Sequence, residues 1–192
     1  MSKHHQDFTS AAETGHGMLE LIRHPRDPAP ATRAIHVGAA WTGDGALALR
    51  YRLLGEREHL RFPASAAPER VEGLWRHTCF EVFVMAGDGP AYREFNFSPT
   101  GAWQAYGFQA YRQGGPLAEA IAPRIVRVDE VGLGLDVLLP ASELPSGTRL
   151  RLGLSAVIET ADGSLSYWAL RHPPGQPDFH HPDCFALELI RP

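Results

Sequence analysis

Apolar residues in this chain recur at every second position over short stretches, and nowhere at the spacing of a long amphipathic helix. In the segment 47–53, Leu47, Leu49, Tyr51 and Leu53 alternate with small or charged residues, and Leu150, Leu152, Leu154, Ala156 and Ile158 repeat the pattern. Successive side chains of a strand point to opposite faces, so a period of two marks a strand with one face buried. Similar short runs begin at Met18, Ile35, Phe80, Tyr92, Ala102, Ile125, Leu133, Leu165 and Phe185. Turn residues punctuate them at Gly43-Asp44-Gly45, at Gly87 and Gly89, and at Ser98-Pro99-Thr100-Gly101, Gly114-Gly115-Pro116 and Asp162-Gly163. About ten short strands with turns roughly every 8 to 12 residues predict an all-β fold, an antiparallel β-sandwich of jelly-roll-like form. Helix is expected only as short turns such as Pro140-Ala141-Ser142-Glu143-Leu144.

The 192 residues suit one core. Residues 1–17 are polar, carry histidines and show no apolar period, so they read as a flexible N-terminal arm before a single domain over 18–192. Apolar residues make up 44% and charged residues 21%, enough to bury a core without metal or disulfide staples. Eighteen basic against 22 acidic residues give a net charge of -4 with no basic cluster, which argues against nucleic acid as a partner. No basic leader followed by an apolar run is visible, and no apolar run approaches the roughly 20 residues that span a bilayer. A cytoplasmic protein without a membrane partner is expected. Cys79 and Cys184 fit neither a C-x-x-C nor a zinc-ribbon spacing and read as two buried thiols. The oligomeric state is left open.

The segment from Leu74-Trp75 to Glu81-Val82-Phe83-Val84, followed by Tyr92-Arg93-Glu94-Phe95-Asn96-Phe97-Ser98-Pro99-Thr100-Gly101, resembles the central hairpin of family-nine carbohydrate-binding modules and DOMON-like domains. The tail from His180-His181-Pro182-Asp183 to Leu189 resembles their last loop and strand. The resemblance covers about residues 18 to 190. It implies a sandwich with its ligand on one sheet face or at the loop ends. In the sugar-binding branch, two tryptophans clamp a terminal sugar while acidic, arginine and amide side chains hold its hydroxyls. The positions that match are Trp75 and Glu81, with Trp168 as a second wall and Arg93 or Asn96 as hydroxyl partners. Strand alternation puts Arg93 and Asn96 on opposite faces unless a bulge intervenes, so only one should contribute. The chain departs from the pattern at Cys184-Phe185-Ala186, where an aromatic and a glycine often stand, and at Met85-Ala86, where an acidic residue often follows and where the family's structural calcium is concerned.

A sugar presents apolar C–H faces and a belt of hydroxyls, so its binder needs an aromatic platform and fixed carboxylates or amides. Trp75, Glu81, Glu94, Asn96 and Trp168 offer these groups, and Glu81, Glu94 and Asn96 share one face of two adjacent predicted strands. The competing reading makes both tryptophans core or rim aromatics and both glutamates solvated. The loop from His172 to Cys184 is dense in imidazole, carboxylate and thiol, and reads as a structural or site-lining loop with His180 facing the ligand rather than as a metal site. The expectation is a non-catalytic domain for a carbohydrate or related polar small molecule, with no resident metal or cofactor. Two alternatives stand beside it: a haem-binding redox module, for which Met18, Met85 and several histidines could be named, and a glycoside-acting enzyme using Glu81 and Glu94. No nucleophile elbow or phosphate-binding loop is present.

Overall fold

Backbone hydrogen bonds join the alternating segments into two stacked antiparallel layers in the computed structural model, which describes residues 15–27, 32–62, 68–87, 89–128 and 133–192. The strands are β1 (Gly15–Arg23), β2 (Thr32–Trp41), β3 (Leu47–Gly55), β4 (Cys79–Ala86), β5 (Tyr92–Phe97), β6 (Trp103–Ala110), β7 (Gln113–Pro116), β8 (Arg124–Val128), β9 (Leu133–Leu139), β10 (Arg149–Glu159), β11 (Leu165–Ala169) and β12 (Leu187–Ile190). The only helical elements among the described residues are 3-10 turns at Arg57–His59, Leu74–Arg76, Ala141–Glu143 and Pro182–Cys184. One layer runs β1-β2-β3-β9-β8 and the other β7-β6-β5-β4-β10-β11, with β12 also on β10. A short β1–β11 pairing, Ile22 to Ala169 and Arg23 to Trp168, joins them at one side, and the sheet does not close.

The predicted alternation decides which side chains fill the space between the layers. Ile35, Val37, Leu47, Leu49, Leu53, Leu135 and Val137 come from one sheet, and Phe80, Val82, Val84, Phe95, Phe97, Leu152 and Leu154 from the other, all 0–1% exposed. Burying such a side chain contributes about 1.5–3 kcal/mol, so this layer dominates the fold's stability. Tyr51 crosses it, its ring 5.0 Å from that of Phe80 and its hydroxyl donating to the Glu81 carbonyl at 2.7 Å.

Two details differ from the sequence reading. Gly114-Gly115-Pro116, expected as a turn, lies in the edge strand β7. Glycine permits this pairing because a Cβ on Gly114 would stand 2.0 Å from the Gly107 carbonyl oxygen. The closing strand starts at Leu187, and Phe185 packs outside the sandwich. Strand β1 begins at Gly15, and residues 1–14 of the expected arm lie outside the described residues, as do 28–31, most of the Pro63–Pro68 loop, and Gly132.

One edge of β10 is shared. Its first half pairs with β12 (Arg149 to Leu152) and its second with β11 (Ser155 to Glu159). Residues 170–186 leave the sheet where the two pairings part and return across its outer face. Gly153 sits at the parting, where a Cβ would meet the Cys184 carbonyl oxygen at 3.1 Å and Phe83 Cβ at 3.4 Å. Gly153→Val is therefore expected to lower stability by about 1–3 kcal/mol through overpacking and to speed proteolysis within 170–186. An unchanged melting temperature and unchanged cleavage pattern would refute this close approach.

Candidate functional site

The outer face of the second sheet carries the residues of opposite parity to the core. Glu81 and Phe83 of β4, Glu94 and Asn96 of β5, Tyr106 and Phe108 of β6, Ser155 and Val157 of β10 and Tyr167 of β11 all project there. Register places Glu81 opposite Asn96 and Ser155, and Glu94 opposite Phe83 and Tyr106. Such a face would ordinarily meet water. Here the 170–186 segment covers part of it, and Phe179 and Phe185 join Phe83, Met85, Tyr92, Phe108, Val157 and Ala169 in a second apolar cluster.

Between this cover and the sheet lies a cavity of about 460 Å³. Its walls include Trp75, Phe83, Tyr106, Phe108, Tyr167 and Phe179, and its polar groups are Glu81, Glu94, Arg112 and His180. Glu81 is 2% exposed and Glu94 5%. They are diagonal neighbours across β4 and β5, a relation that separates Cβ atoms by somewhat less than about 7–8 Å.

Each polar group has a defined surrounding. Ser155 donates its hydroxyl to Glu81 Oε2 at 3.2 Å, and Asn96 Nδ2 donates to Glu94 Oε1 at 2.9 Å. Asn96 Oδ1 is buried without a partner. Burial, with the charge of Glu94, pushes the Glu81 carboxyl well above the usual carboxylate range. Burial likewise pushes Glu94 up to about 7, against the opposing pull of its Asn96 hydrogen bond and the Arg112 charge. His180 moves the other way: burial and then Arg112 push it down to about 4, so its ring is neutral at neutral pH. The Tyr92 hydroxyl accepts from the Arg112 backbone N–H at 3.1 Å and lies 2.8 Å from His180 Nδ1. A hydroxyl that already accepts can donate to Nδ1, which leaves the imidazole proton on Nε2, 3.7 Å from Glu94 Oε2.

Arg112 holds the cover to the sheet. Its guanidinium donates to Asp178 Oδ1 at 2.8 Å, and the Tyr111 hydroxyl donates to Asp178 Oδ2 at 2.7 Å. Its backbone φ of 55° is left-handed, a conformation glycine adopts more readily. The strained turn therefore retains an arginine whose side chain makes this clasp. Cys184 closes the loop from within, its thiol donating to the carbonyls of Arg171 and Asp178 at 3.2 Å. Both cysteines are buried and free, and burial pushes Cys184 up to about 12.

Of the residues named from sequence, Glu81, Glu94 and His180 line the cavity, and Asn96 lies beside Glu94 beneath it. Trp75 stands at its edge, 47% exposed on the 3-10 turn Leu74–Arg76. Trp168 is 4% exposed in the inter-sheet core and donates Nε1 to Ser166 Oγ at 3.0 Å, so it faces away from the cavity and cannot be its second wall. Arg93 also lies on the opposite face, donating to the Glu143 carbonyl at 2.6 Å, because β4 and β5 pair without a bulge. The second aromatic side is supplied instead by Tyr106, Phe108, Tyr167 and Phe179. The parity of β6 relative to Glu94 could have indicated Tyr106 and Phe108, but nothing in the sequence indicated Arg112 or Phe179. Met18 is exposed on β1, whereas Met85 is buried under the loop. Among the described residues no group of three or more His, Cys, Asp or Glu side chains is placed to hold a metal ion. Nor is any of their helices long and apolar enough to cross a membrane.

No protein-family model matches the sequence, and no curated protein shows significant similarity to it. Among solved structures, the crystal structure of a "putative carbohydrate-binding protein" from Bacteroides uniformis matches with a TM-score of 0.63 at 15% identity, covering 86% of this chain and 81% of that one. At this identity the likeness is one of fold.

Proposed function

We propose that this chain is a cytoplasmic ligand-binding domain of the DOMON-like and family-nine carbohydrate-binding type, which takes a carbohydrate or related polar small molecule into the cavity beneath residues 170–186. The observation that carries this reading is the cavity's composition: a polar floor of Glu81 and Glu94 ringed by aromatic side chains, the combination that meets both the hydroxyl belt and the apolar faces of a sugar. The fold likeness to a protein described as carbohydrate-binding supports it. In this reading Trp75, half exposed at the rim, supplies the aromatic surface on which a sugar ring stacks.

A glycoside-acting enzyme is the second reading, favoured by two carboxyls facing one cavity. Acid-base catalysis of that kind needs environments that push two carboxyl pKa values apart, one group protonated and the other ionised. Here burial raises both, so neither carboxyl has the polar, solvated surrounding that keeps a catalytic carboxylate ionised at its ordinary value.

A thermal-shift screen of the purified chain against mono- and oligosaccharides, haem and divalent metals tests the reading. A ligand that binds only the native state at 100 times its Kd adds about 2.7 kcal/mol of stability. A sugar or polyol is expected to raise the melting temperature of the wild type, and Trp75→Ala to abolish most of that shift. If haem or a metal stabilises the protein and no sugar does, the proposal fails. Hydrolysis of a sugar panel, lost in both Glu81→Gln and Glu94→Gln, would replace it with the enzymatic reading.

A further inference from the structure

We propose that the ligand of this cavity carries a protonated amine, as an amino sugar with a free ammonium group does, and that the ammonium seats against Glu81 and Glu94. The inference rests on the binding reading above and specifies its ligand. It begins from an inventory of donors and acceptors on the cavity floor. The Ser155 hydroxyl and one N–H of the Asn96 amide are already spent on the two carboxyls. What β4 and β5 leave facing a ligand are the carboxyls of Glu81 and Glu94, acceptors once ionised, with the buried Asn96 Oδ1 beside them lacking any donor. A hydroxyl brings one donor and also needs to be satisfied as an acceptor, whereas an ammonium brings three donors and no acceptor.

Charge points the same way. Two carboxyls desolvated together require a cation within reach or must hold a proton. Among the described residues lining the cavity, Arg112 is the single Arg or Lys side chain, and its guanidinium is engaged by Asp178. His180 is neutral. Tyr106, Phe108 and Phe179 line the same cavity, and the face of an aromatic ring attracts an ammonium through its negative quadrupole. An anionic ligand would find no unengaged Arg or Lys among the described lining residues.

The protons balance through the carboxyl pair. Glu94 faces Glu81, Arg112, His180, Tyr92, Tyr106 and Cys79, while Glu81 faces Glu94, Cys79, Tyr51 and Tyr167. Every tyrosine and thiol in that set is pushed upward by burial and stays neutral at neutral pH. Only the carboxyls can change charge when an ammonium arrives. They ionise against it, and the proton passes to the buffer.

The test is calorimetric titration of the full chain at pH 7 with glucosamine, galactosamine and mannosamine, with the parent hexoses, and with the N-acetylated forms, in two buffers of different ionisation enthalpy. We expect at least one amine to bind tenfold or more tightly than both its parent hexose and its N-acetyl form. Its binding enthalpy should depend on the buffer in the sense of proton release. Glu81→Gln should reduce that preference at least tenfold, with its own melting temperature recorded to establish that it folds. Equal or tighter binding of a neutral hexose, or amine binding without proton release, overturns the ammonium assignment and leaves the sugar-binding reading standing. Binding of neither class overturns both.

Discussion

Trp168→Ala is expected to lower the melting temperature by about 10 °C, while Trp75→Ala leaves it within about 2 °C of wild type. The two tryptophans are equivalent as residue types, and the structure separates them by environment. Trp168 is buried between the sheets with its indole N–H satisfied by Ser166, so truncation removes a large apolar contact, opens a cavity and strands the Ser166 hydroxyl. Such changes cost about 3–5 kcal/mol, and each kcal/mol moves the melting temperature of a domain this size by about 2–4 °C. Trp75 lies half exposed on a 3-10 turn with Arg76 stacked over its ring at 5.0 Å, and its loss uncovers little. Ligand affinity should show the reverse order, falling with Trp75→Ala and persisting in whatever fraction of Trp168→Ala remains folded. Thermal denaturation followed by circular dichroism decides the first half, and ligand titration the second. Equal destabilisation by the two substitutions would contradict the assignment of Trp168 to the core.

Glu94→Gln is expected to become more stable than wild type as pH rises, by about 3 kcal/mol at pH 8. The Glu94 carboxyl is pushed up to about 7 in the folded protein, so between an ordinary carboxylate value near 4.5 and pH 7 the native state holds a proton that the unfolded chain has released. Its stabilising effect is present in full below the unfolded value and is lost as pH rises through the folded one. Glutamine can still accept the Asn96 N–H and never ionises, so the variant keeps the hydrogen bond without the loss. His180 titrates with the opposite sign. Its value near 4 means stability gained between about pH 4 and 6.5, which masks the Glu94 effect in the wild type alone. Both proteins contain His180, so the difference between them at each pH reports the Glu81–Glu94 carboxyl pair without it. Melting temperatures at intervals from pH 4.5 to 8.5 should diverge by about 10 °C at the alkaline end. Parallel curves would mean that Glu94 titrates normally and that the cavity is wetter than its burial indicates.

Much of this molecule is legible in the sequence. Strand parity assigned Phe80, Val82 and Val84 to one face and Glu81 to the other, and it put Glu94 and Asn96 opposite Phe95 and Phe97. Those assignments depend only on the pleat, which is a property of consecutive residues. The same rule kept Arg93 and Asn96 apart, and the unbulged β4–β5 register agrees with it. Where local chemistry is ambiguous, the sequence alone misleads. Two glycines and a proline looked like a turn and form an edge strand, because glycine permits close strand approach as readily as reversal.

What the sequence by itself determined was therefore the all-β sandwich and the polar stripe of Glu81, Glu94 and Asn96 on one sheet. Tertiary structure alone decided that the stripe is covered rather than solvated, which tryptophan borders it, and which charges its members hold. The cover comes from far along the chain: Tyr92 meets His180 across 88 positions, and Arg112 meets Asp178 across 66. Alternation records which face a side chain takes but not what lies above that face. Desolvation, which raises the pKa of a glutamate on a strand, depends on what lies above.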